Sequence, residues 1–413
     1  MCYNVPYSKW DNVSWRMKVM KYDFSSMTQR RNTNSVKWDL GAEHELPMWV
    51  ADMDFVTAPA IVKAVQKKAE SGLWGYTLLP DAWSESIISW WKNRHQLTIE
   101  KDWLMFAAGI VPAVSSAVRA LTAVGEKVLL QSPVYNAFYH CICDNGRIAL
   151  ESQLVYENGE YRIDFDDLEK KLADPLTTVM ILCNPHNPIG KIWDRETLLH
   201  INELCRKHHV LVFADEIHCD LTDPGYDYVP FASVSEECKQ NSVTFLAPTK
   251  TFNIAGLKTS AVFAADEVIR QKVSRALELE GVSDVNAFAV DATIAAFTEG
   301  GEWLDELRVY LAENKKVTSD FLQKELPMLH LVPSHATYLL WTDCGAVTDD
   351  AAALCAFLRE KTGLFLNEGN AYGTGGETFV RMNIACQRER LLDGLGRLKD
   401  GITACLAEKT NKE

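Results

Sequence analysis

The chain has 413 residues, more than one compact core accommodates, and roughly 100–200 residues per domain points to two domains or three. At 47% hydrophobic and 24% charged it is composed like a folded globular chain, which excludes global disorder and a fibrous repeat. With 42 Lys and Arg against 56 Asp and Glu, the net charge of −14 disfavours general nucleic-acid binding, although a local basic pocket is still allowed.

Residues 1–20 mix Trp10, Asp11, Trp15, Arg16 and Lys18 and lack the apolar core of a signal peptide. No stretch reaches the roughly 18 apolar residues of a membrane helix, so a cytoplasmic chain without membrane contact is expected. Met20 opens a segment that would serve equally well as a start, which makes residues 1–19 read as an extension. From Thr57 a helix is expected, with Thr57 as its cap and Pro59 in its first turn, running to Gly72; a second covers Ser84–His95.

Short apolar runs then alternate with helical stretches. The runs are Trp103–Ala107, Lys127–Gln131, Val179–Cys183, Val210–Ala214, Val243–Ala247 and Ser260–Ala264, with helices at Val114–Leu121 and Leu198–His208. Runs that are apolar throughout suit strands covered on both faces, as in a parallel sheet, so the fold class is α/β with crossover connections. Cys141 and Cys143, the closest pair among 11 scattered cysteines, are expected on one face of a strand as reduced thiols. His208-His209 and His218-Cys219 lack the spaced ligands of a zinc site, and no metal is expected.

Beyond Glu267 long helices follow, Ala287–Phe297 and Gly301–Glu325. A smaller α+β region then has strands near Leu329–Val332, Thr337–Thr342 and Phe379–Ile384 and helices at Asp349–Lys361 and Arg388–Leu406. The expected division is an N-terminal arm at 1–56 that joins the small domain, a large mostly parallel domain at 57–297, and a small C-terminal domain at 298–413.

In open α/β sheets, ligands gather at the carboxyl ends of strands. Three features fall there. Gly109, Ile110 and Val111 follow the first run and open a helix, whose free N–H groups make an anion seat. Asp215 and Glu216 end another run, and Lys250 follows a third, ahead of apolar Phe252, Ile254 and Leu257. Each has an ordinary reading alone: glycine turns are common, a carboxylate can cap a helix, and a loop lysine is usually solvated. Together they suggest a phosphorylated aldehyde cofactor, carried by the lysine and paired at a ring nitrogen by the aspartate, which describes pyridoxal phosphate.

Ala247-Pro-Thr-Lys250-Thr-Phe-Asn-Ile-Ala-Gly-Leu-Lys258 resembles the cofactor-lysine segment of the fold-type I, class I/II aminotransferase superfamily. Asn184-Pro-His-Asn187-Pro-Ile-Gly190, Ala214-Asp215-Glu216-Ile217-His218 and Phe379-Val-Arg381-Met-Asn383 resemble three further motifs of that superfamily, in order along the chain. Pro47-Met-Trp49-Val-Ala-Asp52-Met-Asp54-Phe55 and Trp74-Gly-Tyr76-Thr narrow the likeness to the MalY/PatB-type cystathionine β-lyases, or C–S lyases.

The resemblance implies that Lys250 carries pyridoxal 5'-phosphate and, once displaced by substrate, takes the proton at Cα. Asp215 would pair with the ring nitrogen and Asn187 with the phenolic oxygen. Tyr135 would stack on the ring, or else be a core tyrosine. Gly109, Ile110, Val111, Thr249 and Lys258 would hold the phosphate. Tyr76 would reach the phosphate of a neighbouring subunit, implying a homodimer with shared active sites. Arg381 would fork the substrate α-carboxylate, or else form a surface salt bridge.

Many relatives carry serine where this chain has Ala247 or Thr249, and His218 stands where other aminotransferases place a tyrosine. The implied reaction is β-elimination from a sulfur amino acid, yielding pyruvate, ammonia and a thiol. Transamination shares the same lysine and aspartate and stays open, as does a cofactor-binding regulatory role. The substrate pocket is expected between Trp49–Phe55 and Glu368–Gly376, the latter a flexible lid or a plain surface loop.

Overall fold

The computed structural model describes residues 20–410, so the reading of 1–19 as an extension lies outside the described residues. A seven-stranded sheet forms the centre: β1 (Leu104–Ala107), β2 (Lys127–Leu130), β3 (Ile148–Glu151), β4 (Thr177–Cys183), β5 (Leu211–Asp215), β6 (Ser242–Leu246) and β7 (Ser260–Phe263), in the order β1-β7-β6-β5-β4-β2-β3. Neighbours from β6 to β3 run parallel, whereas β7 is antiparallel to both β1 and β6. The Ser260 run therefore departs from the parallel expectation. Burial on both faces makes a run apolar whichever way it points, so composition does not encode direction.

The continuous apolar character has a direct cause. Val179, Ile181, Phe213 and Val243 pack on one face with Val114 and Val118 of the helix Ile110–Leu121. Met180, Leu182, Val212 and Ala214 pack on the other with Leu198 and Ile201 of the helix Arg195–Lys207. Successive side chains alternate sides, and helices cover both.

The first of the expected helices spans Pro59–Glu70 with Ala58, not Thr57, at its cap; the Thr57 hydroxyl donates instead to the carbonyl of Phe252 at 2.6 Å. The next helix starts at Asp81 rather than Ser84. Cys141 and Cys143 lie in the helix Ala137–Cys143, not a strand, and two residues along a helix point apart: Cys141 is buried and Cys143 exposed.

A second, antiparallel sheet has β8 (His330–Leu331), β9 (Leu339–Asp343), β10 (Asn367–Glu368) and β11 (Phe379–Asn383), in the order β8-β9-β11-β10. The N-terminal segment joins this region, as Leu46 and Pro47 pair in parallel with Leu364 and Phe365. A knot of buried charge fastens it: Asp54 receives Lys37 at 3.1 Å, Arg30 at 3.2 Å, Arg390 at 3.2 Å and the Trp38 indole at 2.8 Å. Asp54 and Lys37 are each 1% exposed, so either charge alone would be costly there, and the surrounding partners make the pair tenable. No helix among the described residues is long and apolar enough to cross a membrane.

Candidate active site

A cavity of about 380 Å³ opens at the carboxyl ends of β1, β4, β5 and β6. Gly109, Ile110, Val111, Tyr135, Asn187, Asp215, His218, Thr249, Lys250 and Lys258, scattered over 150 positions of sequence, all line it. Ala51 and Cys183 also line it; neither carries a side chain whose chemistry marks it in the sequence.

At one end Gly109 adopts φ +141°, turning β1 into the helix Ile110–Leu121, whose first-turn amides have no acceptor within the helix. Thr249 and Lys258 flank this seat, and Lys258 takes a left-handed φ of +52° to do so. At the other end Asp215 ends β5 with 3% exposure; its carboxylate accepts one bond, from the Ile217 amide at 3.1 Å. Burial pushes its acid up to about 7, only partly offset by that amide and by Lys250. Such an under-satisfied buried acid is suited to a cationic partner.

Lys250 sits in a short helical turn, Pro248–Thr251, directly after β6. Burial, helped by the positive charge of Arg381, draws its amine down to about 8, so it gives up its proton more readily than an ordinary lysine. Its Nζ donates to the Ala51 carbonyl at 2.6 Å. His218 is also buried, which with the nearby cations Lys250 and Arg381 depresses its pKa to about 3; its Nδ1 has no partner among the described residues.

Arg381, on β11, is buried rather than on the surface. It donates to Asn187 Oδ1 at 3.1 Å, Asn367 Oδ1 at 2.9 Å and the Trp49 carbonyl at 2.8 Å, and lies 5.0 Å from the Tyr372 ring centre. Its Nε remains without a partner among the described residues. Asn187 spends its oxygen on Arg381 and keeps its amide nitrogen for another acceptor.

The segment Trp49–Phe55 is held over the cavity from two sides. Asn383 donates to the carbonyls of Val50 and Asp52, both at 2.6 Å, and Asn253 clasps Met53 and Phe55. Sequence reading singled out neither asparagine for this role, and their presence inside otherwise apolar motif segments was the available signal.

One expected residue and one expected segment stand apart. Tyr76 is fully exposed and does not line this chain's cavity. The Glu368–Gly376 stretch is packed rather than lid-like: a Cβ on Gly369 would meet the Gly376 carbonyl at 2.0 Å, and a Cβ on Gly373, at φ +91°, would strike the Tyr139 hydroxyl. Those glycines permit close approach of backbone, which explains their number without invoking motion.

Beside the cavity, His95, Cys219 and Asp220 bring their donor atoms within 4.8 Å of one another, a grouping the sequence spreads apart. Asp220 is already engaged, with His95 at 2.8 Å, the Trp90 indole at 3.0 Å and the Thr251 hydroxyl at 3.0 Å.

The donor set in the main cavity fits pyridoxal phosphate: free first-turn amides at one end, an under-satisfied acid at the other, and an aromatic ring and an amine of lowered basicity within the same walls.

The model of the family described as aminotransferase class I and II matches residues 46–398. The chain is 43% identical to the cystathionine beta-lyase PatB of Bacillus subtilis, over 92% of this chain and 100% of that relative. Cystalysin from Treponema denticola, a structure containing pyridoxal 5'-phosphate, superposes with a TM-score of 0.90 at 33% identity, covering 93% of this chain and 100% of that one. The PLP-bound C-S lyase of Staphylococcus hominis gives a TM-score of 0.88 at 30% identity, with 93% and 99% covered. The chain therefore belongs to the class I and II aminotransferase family.

Proposed function

We propose that the protein is a pyridoxal-phosphate-dependent carbon–sulfur β-lyase of the cystathionine β-lyase type. Water and a sulfur amino acid would give a thiol, pyruvate and ammonia; cystathionine would release homocysteine. The single observation that carries the reading is the joint burial of Lys250 and Asp215 in one cavity, the first with lowered and the second with raised pKa. Identity to a cystathionine β-lyase across the whole of that relative supports the choice among family chemistries.

The bound cofactor supplies an aldehyde for the substrate amine and a pyridinium ring that stabilises negative charge at Cα. The residues of the chain do the rest. The first-turn amides of Ile110 and Val111, with Gly109, Thr249 and Lys258, seat the phosphate. Tyr135 would cover the ring, the Asp215 carboxylate would accept from the ring nitrogen, and Asn187 and His218 would hold the phenolic oxygen. Arg381 holds the substrate α-carboxylate through its guanidinium fork. Lys250 would carry the cofactor at rest and, once free, would accept the Cα proton on Nζ, so that the Cβ–S bond could break with the thiolate leaving on its electron pair.

In this reading Tyr76 serves a second copy of the chain, and the active sites are shared in a homodimer; its full exposure, beside exposed Leu73, Trp74 and Leu78, supports that assignment. Residues 20–56 of the arm and the region 298–410 act as one small domain over the large domain 57–297, a reading that the pairing of Leu46–Pro47 with Leu364–Phe365 supports.

The test is product formation from cystathionine without added keto acid. Stoichiometric pyruvate and free thiol are expected. Amino transfer that depends strictly on a keto acid would establish an aminotransferase instead.

A further inference from the structure

The Ala51 carbonyl receives two donors: the Lys250 amine at 2.6 Å and the Tyr338 hydroxyl at 3.0 Å. A carbonyl oxygen has two lone pairs, so both acceptor positions are filled. The carbonyl is held from either side, because Asn383 grips the carbonyls of Val50 and Asp52. Tyr338 is 1% exposed, and its ring meets that of His218 edge-on at 6.4 Å. Thr337, the residue before it, is β-branched yet takes φ +63°. That conformation is costly for such a side chain and persists only where the surroundings impose it. Here the Thr337 amide bonds the Leu221 carbonyl at 2.7 Å, and its hydroxyl receives the Leu339 amide at 3.1 Å. The strained turn delivers the Tyr338 hydroxyl to Ala51.

We infer that the Ala51 carbonyl and the Tyr338 hydroxyl together form the resting place of the Lys250 amine whenever that amine is free, which makes Tyr338 a positioning residue. The inference rests on the lyase reading above for its place in the reaction, but not for its geometry. A free lysine amine must neither swing away from the substrate nor stay protonated. The carbonyl supplies one fixed acceptor, and by favouring the ammonium form it also raises the amine's basicity. Sharing that oxygen with Tyr338 limits the second effect while keeping the first. The other charged or titratable groups facing the amine are Asp215 at the end of β5, His218 beyond it, Asp52 beside Ala51, Arg381 on β11, and Lys258. None of them touches the Ala51 oxygen.

The test compares Tyr338→Phe with Tyr310→Phe, a buried tyrosine outside the cavity lining whose hydroxyl accepts from the Arg388 amide. Competitive acetylation of cofactor-free protein, followed at Lys250 by mass spectrometry across pH, reads the amine directly. Tyr338→Phe should move the labelling midpoint up by roughly half a pH unit, because the carbonyl is then left wholly to the ammonium. In loaded enzyme the acidic limb of kcat should move the same way, with kcat down about fivefold and KM within about twofold. Installing 3-fluorotyrosine at 338, a stronger donor of the same shape, should move both midpoints down, and it decides the matter should Tyr338→Phe fail to fold.

Labelling and kcat profiles that coincide with wild type in the Tyr338 variants, alongside only a lowered melting temperature like that of Tyr310→Phe, overturn the inference. Wild-type protein that releases no pyruvate overturns the lyase reading instead, while the labelling comparison still decides the role of Tyr338.

Discussion

Asp215 and Asp220 lie five positions apart, are both buried, and have opposite surroundings. Asp220 accepts from His95, Trp90 and Thr251, so its charge is satisfied from three directions. Asp215 has one amide bond and a pKa driven up by burial. The difference separates a carboxylate that holds the fold from one the fold holds in reserve. Asp220 ties the helix Asp81–His95 to the turn bearing Lys250, and Asp215 is left wanting a partner from outside the chain. An under-satisfied buried charge persists only where something compensates it, and Asp215 lines a cavity open to such a partner.

The largest effect is expected at Lys250, which faces Asp215 and whose neighbour Thr251 bonds Asp220. Lys250→Ala should lower pyruvate release by at least roughly a thousandfold, because cofactor anchor and proton acceptor are lost together. Residual turnover within tenfold of wild type would detach the cavity from the chemistry. Next, Asp220→Ala should destabilise the protein by about 3 kcal/mol in urea unfolding, since it leaves the His95, Trp90 and Thr251 donors buried without an acceptor.

Asp215→Asn should do the reverse. Turnover should fall about a hundredfold, roughly 2.7 kcal/mol of barrier, while cofactor-free protein loses no stability at pH 8. Equal destabilisation by the two changes would abolish the distinction drawn between the acids.

The smallest effect is in pH. The folded chain keeps Asp215 protonated more readily than the unfolded chain does, so its contribution to stability is complete below pH 3.8 and is lost as pH rises through about 7. Other buried groups titrate too: Glu216 is pushed up to about 8 by burial and His218 down to about 3. The informative quantity is therefore the stability of cofactor-free Asp215→Asn minus that of wild type. It should grow between pH 4 and 7 and stay level above, and a flat difference would show that the carboxylate is ionised throughout.

Much of the site was legible before folding was considered. Lys250 and Asp215 are charges set against buried apolar runs, where a solvated role is unnatural, and Arg381 was legible through the resemblance of its motif. The strand Ile148–Glu151 was not legible: it is an edge strand, partly exposed, and lacks the continuous apolar signature of its neighbours. The direction of β7 was hidden for the reason already given. Whether Glu368–Gly376 is a lid or a plain loop stayed open in the sequence, because glycine spacing looks the same whether the residue grants motion or close contact.

The amino-acid sequence by itself determined the α/β class, the cavity's lysine, acid and anion seat, and the family, because side-chain chemistry and apolar patterning are written residue by residue. Only the tertiary structure decided which of two neighbouring acids is satisfied and which is not, and that the Ala51 carbonyl meets the Lys250 amine. Every residue carries a carbonyl, so its significance exists only once the chain has brought it to a partner.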